Sequence, residues 1–135
     1  MKGEGVVHAL RHVHQLLVPG GTMVDLHPLA EESVEAGGLT LGLIEDHAWL
    51  SLDLPNAEAC LADAISAGLY TLEAELEFDL LQHFDEANDL LAARAEILAE
   101  QRDLVHRIRN ATTPLVTREH CVLRRLRAEA SSTHK

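Results

Sequence analysis

From Tyr70 to Leu80 the chain alternates apolar and polar side chains without a break: Tyr70, Leu72, Ala74, Leu76, Phe78 and Leu80 are separated by Thr71, Glu73, Glu75, Glu77 and Asp79. Successive side chains of a strand point to opposite faces, whereas an α-helix brings a residue back to the same face every 3.6 positions. The run therefore predicts a long strand with one apolar and one acidic face. A chain of 135 residues, 47% of them apolar, can bury one hydrophobic core around it. We expect one domain over residues 1–127 and a short flexible tail over 128–135.

Other segments take their places around this strand. Val6, Leu10, Val13 and Leu17 share a helical stripe, which predicts a helix over 5–17. Pro19-Gly20-Gly21 ends it, and Thr22–His27 reads as an apolar strand closed by Pro28. Leu39–Ile44 and Ala48–Leu54 are read as the two arms of a β-hairpin around Glu45-Asp46-His47, because Leu50, Leu52 and Leu54 alternate with Ser51 and Asp53. Ala57, Cys60, Leu61, Ala64 and Ile65 predict a helix from Asn56 to Ala67, stopped by Gly68. Leu90, Ile97 and Leu104 repeat every seven residues in a helix, or helix pair, over 86–109. Leu115–Arg127 is rich in β-formers and predicts an inner strand.

Composition narrows the function classes. With 22 acidic against 11 basic residues the net charge is −11, which repels phosphate backbones and anionic lipid. We expect neither a nucleic-acid partner nor a membrane. No apolar run approaches the roughly 20 residues of a membrane span, and the amino terminus lacks a signal-peptide pattern, so the expectation is a cytoplasmic protein. Cys60 and Cys121 form no CxxC pair and read as reduced thiols. His8 and His12 have i, i+4 spacing, but no third ligand accompanies them, so no metal site is predicted.

The order of these elements resembles the carboxyl-terminal half of a class I S-adenosylmethionine-dependent methyltransferase. The residues that carry the likeness are Leu16-Leu17-Val18-Pro19-Gly20-Gly21-Thr22-Met23-Val24-Asp25, the long strand Leu72 to Phe84, and Thr117 to Arg127. The resemblance implies a partial Rossmann-like α/β sheet of mixed parallel and antiparallel strands, with a β-hairpin and flanking helices. It also implies a truncated protein, because the family's glycine-rich cofactor loop has no counterpart here; Gly3-Glu4-Gly5 follows no strand. Such a chain binds no cofactor alone, and S-adenosylmethionine would enter only if a partner supplied the missing half. A bare sheet edge would favour a homodimer or hetero-oligomer, with a small-molecule ligand as a further partner.

If the strands ending at His27 and His83 are parallel, as the resemblance implies, their carboxyl ends form the rim where ligands of open α/β sheets collect. His27, His83, Asp25 and Asp85 are then the candidate catalytic residues, since a histidine beside a carboxylate can move a proton in a cyclase, lyase or methyl-acceptor site. Pro28, Phe84 and Trp49 complete the ligand rim. Glu73, Glu75, Glu77 and Asp79 are expected instead to form cross-strand ion pairs with Arg118, Arg124, Arg125 and Arg127.

Overall fold

The computed structural model describes His14 and residues 19–130. The helix expected over 5–17, His14 excepted, and the chain beyond residue 130 lie outside the described residues, as do His8 and His12.

Five strands and their connecting helices follow one another as β1 (Thr22–Pro28), β2 (Glu32–Ala36), β3 (Leu39–Ile44), a π-helical turn (Trp49–Asp53), α1 (Leu54–Ser66), β4 (Tyr70–Phe84), α2 (Ala87–Ala93), α3 (Ala95–Leu98), α4 (Arg102–Arg109) and β5 (Leu115–Ala128). In the sheet β5 pairs with β1, β2 and β4, and β2 pairs with β3. Every paired neighbour is antiparallel. This corrects the expected Rossmann-like sheet of mixed parallel and antiparallel strands. The physical reason is the placement of β5: β1 and β4 both pair with it, so the two strands whose carboxyl ends were to form a parallel rim are never hydrogen-bonded to each other.

The hairpin is also relocated. Its arms are β2 and β3, with Ala36 opposite Leu39. Gly37 and Gly38 form the two-residue turn with φ of 58° and 80°, left-handed values that glycine adopts without strain. The segment read as the second arm is helical instead: the Ser51 hydroxyl donates to the carbonyl of His47, four residues back. Pro55 then occupies the first turn of α1, where its missing N–H costs nothing.

Contacts divide the chain into two compact units. The first draws its described residues from Met1–His27, His47–Glu77 and Val122–Lys135; the second is Pro28–Asp46 and Phe78–Cys121. Each has its own core. In the first, Leu61 and Ala64 of α1 pack with Tyr70, Leu126 and Ala128, and Met23 and Ile65 close the cluster. In the second, Val34, Ile44, Phe84, Leu90, Leu98, Leu104, Ile108 and Leu115 are buried together.

The helix, or helix pair, expected over 86–109 is three helices, and both breaks have a cause in side-chain chemistry. At Gln101 the backbone leaves the helical region (φ −104°, ψ 62°). Its amide there mimics a strand neighbour of β3, donating to the Leu43 carbonyl at 3.0 Å and accepting from the Glu45 N–H at 2.9 Å. At Arg94 (φ −124°, ψ 20°) the guanidinium turns to Glu32 in a bidentate pair of 2.8 and 3.0 Å.

Candidate ion-paired histidine site

Alternation along β1 decides what gathers in the first unit. Met23 enters the core beside α1, so Asp25 and His27 project to the same side and Val24 and Leu26 to the other. The His27 ring, 12% exposed, places Nδ1 3.1 Å from the Asp25 carboxylate. Its Nε2 is buried, makes no hydrogen bond and lies 3.6 Å from Glu58 Oε2 of α1. Trp49, carried by the π-helical turn, meets the ring edge-on at a centroid distance of 6.4 Å.

Arg124 of β5 organises the carboxylates around this ring. Its guanidinium donates twice to Glu58, at 2.7 and 2.8 Å, and also to Glu75 at 2.9 Å and to Asp25 at 3.2 Å. Hydrogen bonds from Arg124 hold the Glu58 carboxyl below the usual carboxylate range, against a smaller opposing effect of burial. The same bonds, that to Glu58 foremost, push the Arg124 guanidinium further up, so the cluster stays charged at neutral pH. Three carboxylates around one arginine leave an excess of negative charge beside the imidazole.

Asp25 beside Nδ1 and Glu58 beside Nε2 set a carboxylate at each ring nitrogen. The arrangement is thus an oriented imidazole closed in by acidic groups, with its indole neighbour on one edge.

The sequence candidates fall into two groups. Asp25, His27 and Trp49 come together in the first unit, whereas Pro28, His83, Phe84 and Asp85 belong to the second. His83 and Asp85 are exposed, and Phe84 is buried with the Arg94 guanidinium 5.9 Å from its ring centre. Sequence reasoning singled out neither Glu58 nor the role of Arg124 as hub. Their meeting beside β1 depends on the register of β5 and on where α1 packs, which no local pattern reports.

Of the acidic row of β4, Glu73 pairs with Arg125 and Arg127, Glu75 with Arg124 and Asp79 with Arg118, the kind of cross-strand pair expected, and Asp79 also meets His120. Among the described residues no group of three His, Cys, Asp or Glu side chains is placed to hold a metal ion. No helix among them is long and apolar enough to cross a membrane. Cys60 and Cys121 are not joined in a disulfide, and burial pushes the Cys121 thiol up.

The fold and site together define a mixed α/β protein with an antiparallel sheet and a network of arginine–carboxylate pairs. No family model, curated protein or solved structure matches the chain, so the methyltransferase resemblance gains no support from comparison.

Proposed function

We propose that the chain is a non-catalytic association module that forms a homodimer through the face of its first unit turned away from α1. The observation that carries this reading is apolar exposure on that face: Val24 is 61%, Leu26 54% and Leu76 59% exposed. All three point the same way, because Asp25 and Glu75, their neighbours in β1 and β4, both reach Arg124 on the α1 side. Half-buried Leu123 lies on the same side, next to Arg124 in β5.

Clustered exposed side chains of this size are a mark of interaction surfaces, and burying the part of each that is still exposed contributes about 1–1.5 kcal/mol. Arg125 follows Arg124 in β5 and so lies on that face, 59% exposed, where its charge offsets part of the net −11 that two copies bring together. Sedimentation velocity tests the reading: wild type is expected as a dimer at micromolar concentration, and Leu26→Asp/Leu76→Asp as a folded monomer. A wild-type chain that stays monomeric at 100-fold higher concentration would refute it.

The unbonded, buried Nε2 of His27 favours one second reading, a cofactor-free proton transfer by the Asp25–His27 pair of the kind used by cyclases and lyases. Screening small carbonyl substrates against wild type and His27→Ala checks it. An activity that His27→Ala leaves intact would remove this alternative.

A further inference from the structure

In the second unit, α2, α3 and α4 enclose a groove of about 490 Å³. Its floor is apolar, formed by Leu91, Leu98 and Val105, and its basic groups, Arg102, His106 and Arg109, all come from α4. No carboxylate lines it. The spacing of i, i+4 and i+7 sets these three groups along one side of a helix, spanning about 10 Å from first to last.

The charge pattern of the chain makes this arrangement unusual. Acidic residues outnumber basic ones 22 to 11, and Arg94, Arg118, Arg124, Arg125 and Arg127 each hold at least one carboxylate. Among the described residues the arginines without a carboxylate partner are Arg102, Arg107 and Arg109, all on α4. Arg107 donates instead to the Leu41 carbonyl, away from this groove. In a protein so rich in acid, two arginines left beside an apolar floor are complementary to an anion supplied from outside.

We propose that this groove binds a small amphipathic carboxylate, with an aliphatic body over Leu91, Leu98 and Val105 and its carboxylate held by His106 and an adjoining arginine. The volume falls within the range of small-molecule sites, about 300–1,000 Å³. Each half of such a ligand needs its own part of the groove. An aliphatic alcohol lacks the charge that Arg102 and Arg109 would meet, and acetate lacks the body that the leucines would cover. The inference is independent of the proposed dimer face, which belongs to the other unit.

Amide chemical-shift titrations of the full chain at pH 7 with octanoate, octanol and acetate test it. Octanoate is expected to give saturable shifts concentrated in residues 91–109, with octanol and acetate weaker by about tenfold or more. Arg102→Gln/Arg109→Gln changes only exposed side chains and should keep the circular dichroism spectrum while weakening octanoate by about tenfold. The proposal is overturned if octanoate gives no saturable shift, if octanol binds as well, or if the double variant binds octanoate as wild type does. Binding of an acidic amphipathic peptide without octanoate would overturn it in favour of a protein partner.

Discussion

Replacing Arg124 by methionine isolates what the ion cluster of the first unit contributes. Methionine keeps much of the apolar stem and removes the guanidinium, which makes four hydrogen bonds to Glu58, Glu75 and Asp25. Arg124 is 12% exposed, so its own charge is largely withdrawn from water, but the carboxylates it leaves behind are 26% to 42% exposed. Breaking a buried pair costs about 3–5 kcal/mol, and partial hydration of the orphaned carboxylates reduces this, so we expect a loss of about 3 kcal/mol. For a chain of 135 residues that corresponds to a fall in Tm of about 10 °C. Arg125, 59% exposed and 3.4 Å from Glu73, is the control; Arg125→Gln should cost less than about 0.5 kcal/mol. Acid gives a second signature. The folded Glu58 carboxyl titrates below its ordinary value of 4.5, so its contribution is present above that pH and lost as pH falls through the folded value. In Arg124→Met the Glu58 carboxyl no longer has its counter-ion and accepts a proton more readily. The gap between wild type and variant should therefore narrow below about pH 4. Urea unfolding followed by circular dichroism at pH 7 and pH 3.5 measures both effects. A loss at pH 7 no greater than that of Arg125→Gln, or a gap that widens on acidification, would refute the reasoning.

Burial, and then the nearby Glu32, raise the Glu119 carboxyl above its ordinary value. An acid raised on folding costs stability above that value and not below it, so Glu119→Gln should raise Tm at pH 7, with the gain absent at pH 3.5; calorimetry at the two pH values checks this. A Cβ at Gly42 would stand 3.1 Å from Leu104 Cδ1 and 3.2 Å from Arg107 Nη1. Gly42→Ala should lower stability by about 1–2 kcal/mol, as overpacking against the buried Leu104 requires, measurable as a urea midpoint shift.

The long strands were legible because their signal is local. Alternation from Tyr70 to Leu80 needs no knowledge of neighbours, and the strand it marks runs on in the structure to Phe84, although Leu72, Leu76 and Leu80 stay exposed. The cross-strand pairs of Glu73, Glu75 and Asp79 with the arginines of β5 followed from placing two such strands side by side. Local pattern misled at Ala48–Leu54, where leucines at every second position also suit a helix turn whose outer side is wet; Leu52 is 61% exposed there. It also missed β2, whose Glu32, Ser33 and Glu35 read as loop although Val34 and Ala36 supply its buried side.

What this sequence determined alone was the inventory: where glycine and proline stop an element, which runs alternate, and how acidic the surface is. Hydrogen-bond partners within a sheet and the side chains that meet across it depend on residues a hundred positions apart. Only tertiary structure could decide that β1 and β4 flank β5 and remove the expected parallel neighbours, or that Asp25, Glu58 and Arg124 surround His27. Spacing along a chain reports one element's faces, whereas strand order and register arise from the burial of many elements at once.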